Sequence, residues 1–369
     1  MVDFKSDRYT LDTLLGEGNF GSVYKALDKK TDTFVAIKIE KSQKISQIDM
    51  EIDVLQHVSG EEGFPKLIDF GKYGDKSYVV MSLLGQNLHK KFQSIRKIIN
   101  VETVLDIGLQ CLQRIKTLHE CYYLHRDLKP QQYLIDDDLH VCLVDFGLCK
   151  KFMNSKLMIH IPYTDNRPFV GTANYASLNT HLGIQQSRRD DLESFCYILS
   201  YLLNGQLPWI PVDKTKYDEK TIKKMKTSVA PSNLFSSSSL VQFFVYVKSL
   251  SFEKVPDYQY LFELINQALF EEKSSSMSIF TVDGSTNSRS SKKLKKKRSR
   301  KRTVVNSKFK RSNLCRSLDN INVSVNDSDG TMVCDQLPEF KDRKAFKETL
   351  LKAAAENPLV QEKLNCCVM

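Results

Sequence analysis

The sequence predicts an α+β fold of two lobes, a small β-rich N-terminal lobe and a larger α-helical C-terminal lobe, followed by a disordered tail. Three observations carry this expectation. Between Tyr9 and Met81 apolar residues such as Val23, Val35 and Ile37 alternate with polar or small neighbours, the period of a half-buried strand. From Leu88 onward they recur at helical spacing. After Glu272 serine and basic residues take over, a composition that cannot offset the entropy of ordering. The lobes read as 9–82 and 83–272. A Ser/Lys/Arg-rich linker follows over 273–338, then a terminal segment over 339–369.

In the small lobe, Asp28-Lys29-Lys30-Thr31-Asp32 supplies a turn between two strands. One helix interrupts, over about Gln43 to Val58, with Ile48, Ile52, Leu55 and Val58 on one face. In the large lobe, Val101, Val104, Leu105, Gly108, Leu112, Ile115 and Leu118 form one helical stripe. A second, Leu192, Phe195, Leu199, Leu202 and Leu203, is apolar enough to be largely buried. Leu240 to Val247 is a further core helix candidate. Between these helices Leu134-Ile135 and Val141 to Val144 flank the turn Asp136-Asp137-Asp138, which places Asp145 at a strand end. In the terminal segment Phe346, Leu350 and Ala354 suggest a short helix between Glu339 and Ala355, ended by Pro358.

The charge is segregated. Residues 273–369 carry 21 Lys/Arg against 10 Asp/Glu, a net of +11, and residues 1–272 carry 33 against 34, a net of −1. Basicity therefore describes the tail and not the folded body. Lys292 to Arg302 holds nine cations in eleven residues, a block that attracts polyanions, either an anionic membrane surface or nucleic acid. The nine cysteines show no Cys-x-x-Cys spacing and the N-terminus no secretion signal, which reads as a reduced cytoplasmic or nuclear protein.

Four short strings carry chemistry. Gly16-Glu17-Gly18-Asn19-Phe20-Gly21-Ser22-Val23 lies between two predicted strands, and its glycines let backbone amides approach phosphates without a Cβ clash. A lone match of this kind is weak. Val35-Ala36-Ile37-Lys38 follows at the spacing of the next strand, so the ammonium can reach α- and β-phosphates. His125-Arg126-Asp127-Leu128-Lys129-Pro130 offers the Asp127 carboxylate to orient a hydroxyl and accept its proton. Asp145-Phe146-Gly147 offers a carboxylate for magnesium beside a nucleotide triphosphate. Together the four read as a protein kinase catalytic centre using ATP and Mg.

The supporting residues follow. Glu51, on the small-lobe helix, is the expected ion-pair partner of Lys38; a solvent-facing glutamate is the plainer alternative. Lys129 can neutralise transferring charge, a combination that fits Ser/Thr substrates, and the Thr172 hydroxyl can lock Asp127 and Lys129 together. His125 and Arg126 read as structural. An apolar slot for adenine can be assembled from Leu15, Val23, Ala36, Met81, Leu84, Leu134 and Val144, each of which alone would pass for core.

Over about residues 9–272 the chain resembles the casein kinase 1 family. The strings are His160-Ile161-Pro162-Tyr163, Gly171-Thr172-Ala173-Asn174-Tyr175-Ala176-Ser177-Leu178-Asn179-Thr180-His181-Leu182-Gly183, Gln186-Ser187-Arg188-Arg189-Asp190-Asp191-Leu192-Glu193-Ser194 and Pro256-Asp257-Tyr258. Ser177-Leu178-Asn179 stands where most kinases carry Ala-Pro-Glu. The resemblance implies a bilobal kinase, ATP and magnesium, activity without activation-loop phosphorylation, acidic or phosphate-primed Ser/Thr sites in protein substrates, and a monomer. It also implies that Asp191 anchors the catalytic-loop backbone.

Three departures matter. Gln132 stands where the family has the magnesium-binding Asn, so Asp145 and Gln132 are the expected metal ligands. The arm is longer by one bond, ~1.5 Å, and a ~1 Å misplacement can cost ~100-fold in rate. A nucleotide-binding pseudokinase is therefore the alternative. Asn174 replaces an Arg that helps hold a primed substrate's phosphate, leaving Lys216 as the residual anion-site residue and predicting a weaker preference for primed sites. Ser82 replaces an acidic hinge residue, with little effect expected because adenine is read there by backbone groups.

The chain ends Cys366-Cys367-Val368-Met369, which fits a prenylation box with Cys366 as the farnesyl acceptor. One lipid chain alone binds marginally, and the basic block would be the second signal. The expectation is a cytoplasmic protein held peripherally on membranes, with nuclear localisation or nucleic-acid binding by the basic block as the competing reading.

Overall fold

The computed structural model describes residues 4–18, 21–41, 47–95, 99–154, 156–211, 217–281, 322–325 and 332–335. Residues 1–285 and 286–369 are two compact units. In the first, five antiparallel strands build the small lobe: β1 (Tyr9–Glu17), β2 (Gly21–Asp28), β3 (Thr33–Glu40), β4 (Leu67–Tyr73) and β5 (Lys76–Ser82), in the order β1-β2-β3-β5-β4. Strand alternation divides β3 between two faces. Val35, Ile37 and Ile39 join Tyr9, Tyr24, Ala26 and Val80 in a small outer core. Ala36 and Lys38 therefore point the other way, and Ala36 belongs to the main core. Gly21 is required where β2 meets β3, because a Cβ there would lie 2.5 Å from the Ile39 carbonyl oxygen.

Helix α1 (Gln47–Val58) lies between β3 and β4 in sequence and buries Ile48, Glu51, Val54, Leu55 and Val58. Residues 42–46, where the apolar spacing places its first turn, lie outside the described residues. After the hinge come β6 (Gln86–Asn87), α2 (Leu88–Ile95) and α3 (Val101–Glu120). Asn100 caps α3 by accepting the Thr103 amide at 2.8 Å, which satisfies a donor no helical carbonyl reaches. Next are β7 (Tyr123–Leu124), β8 (Tyr133–Ile135) and β9 (Val141–Leu143), with β8 and β9 paired across the expected turn.

The segment after Asp145 forms β10 (Lys150–Lys151), paired with β7, then β11 (Met153–Asn154) and β12 (Ile159–His160), paired with each other. Helices α4 (Leu178–His181), α5 (Arg188–Asn204), α6 (Glu219–Ser228), α7 (Ser238–Ser249) and α8 (Tyr258–Thr281) complete the lobe. Helix α5 is buried almost all round, from Arg188 to Leu202, as expected of the central helix in a lobe with helices on every side. It stops at Gly205, whose φ of 78° favours glycine.

The structure differs from the sequence reading after Glu272. Helix α8 runs on to Thr281 instead of giving way to a linker at Lys273. Leu261, Leu264, Ile265 and Ala268 anchor it in the core, and no glycine or proline follows before Gly284. A nucleated helix extends through serines at small cost. In the second unit β13 (Asn322–Val325) pairs antiparallel with β14 (Met332–Asp335), within the stretch read as linker; the alternation of Val323 and Val325 with polar residues favours extended backbone. The expected 339–355 helix and the basic block lie outside the described residues. No helix among the described residues is long and apolar enough to cross a membrane.

Candidate active site

Lys38, on the inner face of β3, is 9% exposed. Its Nζ lies 2.5 Å from Glu51 Oε2 and 2.7 Å from Asp145 Oδ1. The sheet fixes the direction of Lys38, and α1 turns Glu51 inward one helical turn before Leu55. The strand end of β9 delivers Asp145, which adopts φ 67° and ψ 70°. A left-handed conformation at a non-glycine residue is costly and persists only where packing enforces it. Here Phe146 does so: its ring is fully buried against Phe64 and His125, which leaves the Asp145 carboxylate toward Lys38.

Burial opposes charge on all three groups, and the outcome differs. The Asp145 carboxyl is pushed up by burial but held well below the usual range by the Lys38 ammonium. Burial likewise works against the Lys38 charge, yet Asp145 and Glu51 keep it protonated, above its ordinary value. Glu51, deeper, is shifted upward by burial despite Lys38. Asp145 therefore stays an anion, ready to meet a cation.

The catalytic loop adds the second carboxylate. Asp127 Oδ2 accepts from Lys129 Nζ at 2.6 Å, and Asp127 Oδ1 accepts the Thr172 hydroxyl at 2.6 Å. Lys129 also donates to Thr172 at 3.1 Å, so the expected three-residue lock exists. Gly171 makes the approach of Thr172 possible: its φ is +117°, and a Cβ there would lie 2.7 Å from the Arg126 carbonyl oxygen.

Gln132 bridges the two carboxylates. Its Nε2 lies 2.7 Å from Asp145 Oδ2 and 3.4 Å from Asp127 Oδ2. An amide between two anions must turn its NH2 toward them. A divalent ion there would reverse the preference and call for the carbonyl oxygen. No group of three or more His, Cys, Asp or Glu side chains among the described residues is placed to hold a metal alone. One carboxylate and one amide match an ion that brings phosphate oxygens and water as its other ligands, so the donor set fits magnesium carried with a nucleotide.

The residues expected to form the adenine slot differ in exposure. Ala36 and Met81 are buried and pair across β3 and β5, Val23, Leu84, Leu134 and Val144 are half-buried, and Leu15 is exposed. In the glycine loop Gly16, Glu17 and Gly18 are exposed, Gly21 and Ser22 buried, and Asn19 and Phe20 fall outside the described residues. Ser82 spends its hydroxyl on the Lys66 amide. Lys216 and Cys366 lie outside the described residues. A concavity of about 900 Å³, lined by residues 4–7 and 9–14 with Tyr24, opens elsewhere on the small lobe and gathers none of these groups; volume alone does not locate chemistry.

Beneath the loop Asp191 accepts the His125 amide at 2.8 Å, the Arg126 amide at 2.9 Å and His119 Nε2 at 2.9 Å. Burial lowers the His119 pKa despite Asp191, so the neutral ring donates from Nε2 and accepts the Tyr258 hydroxyl at Nδ1. Asp190 holds the Ser177-Leu178-Asn179 turn through Ser177 Oγ at 2.6 Å and Asn179 Nδ2 at 3.1 Å.

Sequence reasoning missed Lys226 of α6. Its ammonium donates to the carbonyls of Ala173 and Ala176 and lies over the rings of Tyr197 and Trp209. Trp209 Nε1 donates to the Asn174 carbonyl. The strand of backbone after Thr172 is thus held by three carbonyls. Burial lowers the Lys226 pKa to about 7. A lone lysine beside Lys223 and Lys224 gives no signal of this in sequence.

Residues 9–282 match the family model for the protein kinase domain. The chain belongs to the protein kinase family.

Proposed function

We propose that this member of the protein kinase family is an active Ser/Thr kinase of the casein kinase 1 type, transferring the γ-phosphate of ATP to hydroxyls of acidic protein substrates. One observation carries the reading. Lys38, Asp145, Gln132, Asp127, Lys129 and Thr172 form an unbroken chain of polar contacts along one cleft.

A magnesium ion, if bound, would supply positive charge against the negative charge developing on the phosphate oxygens. Asp145 and Gln132 are the residues that would hold it. Lys38 binds the nucleotide phosphates and is kept extended by Glu51. Asp127 aligns the substrate hydroxyl and takes its proton as the new O–P bond forms and the bond to ADP breaks. Lys129 stabilises charge on the transferring group, and Thr172 fixes both Asp127 and Lys129. Lys129 two residues after Asp127, with Thr172 bonded to both, supports the Ser/Thr reading.

Substrate phosphate counts for less here than in the family pattern, since Asn174 brings no charge and Trp209 engages its backbone oxygen. A peptide pair with and without phosphoserine three residues upstream tests this, and a large primed advantage overturns it. The tail supports membrane attachment by farnesyl at Cys366 with the 292–302 block as second signal. Mass spectrometry of the C-terminal peptide decides that point: an intact Val368-Met369 end refutes farnesylation.

The scaffold alternative rests on Gln132, whose amide occupies the Asp145 carboxylate. Labelled ATP with a casein-type substrate separates the two. Activity should fall about 10²–10⁴-fold in Asp127→Asn, the range of a lost general base; no activity in either protein favours the scaffold.

A further inference from the structure

The Lys38–Glu51 pair depends on where α1 lies, and in kinases that position is commonly set by a phosphorylated activation segment. Here side chains grip α1 on a second face. Asp53 follows Glu51 by two residues, about 200° around the helix, so it points away from the cleft when Glu51 points in. Its Oδ2 accepts the Tyr123 hydroxyl at 2.8 Å and lies 3.1 Å from Lys151 Nζ. Tyr123 is on β7, two residues before His125. Lys151 is on β10, within the segment that follows Asp145-Phe146-Gly147, and β7 and β10 pair through Lys151 and Tyr123. Lys151 Nζ also lies 5.1 Å from the Tyr123 ring centre, and His57, one turn along α1, meets that ring edge-on at 5.5 Å.

The contributions are unequal. Asp53 and Lys151 have side chains 36% and 52% exposed, and an ion pair so exposed contributes little by itself. The Tyr123 ring, by contrast, is fully buried. Core packing fixes its hydroxyl, so its bond to a carboxylate is charge-assisted and loses little side-chain freedom on forming. On the opposite side α1 packs against the turn Phe146–Leu148. The helix is therefore clamped between the two ends of one short stretch, 146–151.

We propose that Asp53, Tyr123 and Lys151 form a built-in strap that holds α1 against the start of the activation segment and keeps Glu51 on Lys38 without a phosphate. This rests on the kinase reading above for its consequence, but not for its geometry. These are positioning residues: none touches substrate.

The test uses the full chain. Variants Asp53→Ala, Tyr123→Phe, Lys151→Ala and the double Asp53→Ala/Lys151→Ala are compared by amide hydrogen exchange, with kcat and KM for ATP alongside. Exchange over residues 47–58 should quicken about tenfold in Asp53→Ala, the scale of one charge-assisted bond, with residues 188–204 unchanged. Tyr123→Phe, which keeps the ring, should reproduce most of it and guards against a folding failure. The double variant should be no worse than Asp53→Ala. Phosphotransfer should fall in parallel, mainly in kcat. Unchanged exchange over 47–58 in Asp53→Ala and Tyr123→Phe overturns the strap, as does equal quickening throughout α5. If the unaltered protein transfers no phosphate, the exchange result still decides the strap, so its failure and that of the catalytic reading are seen separately.

Discussion

Two pairs of aspartates lie within one lobe and do opposite work. Asp127 and Asp145 face the cleft, and their partners are side-chain amines, an amide and a hydroxyl. Asp190 and Asp191, on the first turn of α5, are 1% exposed and spend much of their capacity on backbone amides at His125, Arg126 and Ser187. A carboxylate bound to fixed amides can only hold the chain in place. One bound to mobile side chains can exchange those partners for a metal ion or a substrate. The difference is one of partner type more than of burial, since Asp127 is itself only 8% exposed.

The strongest way to break the comparison is Asp145→Asn. Phosphotransfer should drop about 10²–10³-fold, as when a preorganised electrostatic group is lost, while thermal unfolding barely moves. A large loss of stability would make Asp145 a structural residue like its counterparts on α5. Asp191→Ala should do the reverse. It strands two backbone amides and His119, and removing one member of a buried charged network costs about 3–5 kcal/mol. Calorimetry should find a much lower Tm; a Tm near that of the unaltered protein removes Asp191 from the scaffold.

Gln132→Asn sharpens the contrast from the cleft side. Shortening the arm lets the amide oxygen meet an ion beside Asp145 at better distance, and the rate should rise by up to about 100-fold. A fall in rate would mean the longer amide suits this cleft. A last effect is a pH slope from Asp190. Burial, against the pull of Ser177 and Ser187, raises its pKa from 3.8 to about 6. Between those values the unfolded chain has released the proton and the folded chain retains it. Stability from this group is thus full below about pH 4 and lost as pH rises through 6. Asp190→Asn should flatten that slope in a Tm-against-pH series, by at most about 3 kcal/mol, two pH units at about 1.4 kcal/mol each. Identical slopes would refute a protonated Asp190.

Much of the cleft was legible because its geometry is local. Asp127, Lys129 and Gln132 lie within six residues, and Asp145-Phe146-Gly147 closes a hairpin whose turn residues announce it. The glycine loop and Lys38 sit on adjacent strands whose register follows from a short turn. Glu51 was placed by helical periodicity together with the neighbouring glycine loop and Lys38 strand. The end of α8 was not legible: serines after Glu272 resemble a linker, and only the docking of Leu261, Leu264 and Ile265 in the core lets the helix continue.

The sequence by itself determined which side chains carry charge in the cleft and in what order along the chain, because backbone chemistry over a few residues dictates turns and strand ends. Packing between distant segments decided the rest. It chose Tyr123 and Lys151 for Asp53, and it chose the carbonyls of Ala173 and Ala176 for Lys226. Those partners lie 50 to 98 residues apart in the sequence. No local propensity joins them; they meet because core side chains can fill the space between α1, α5 and α6 in few ways.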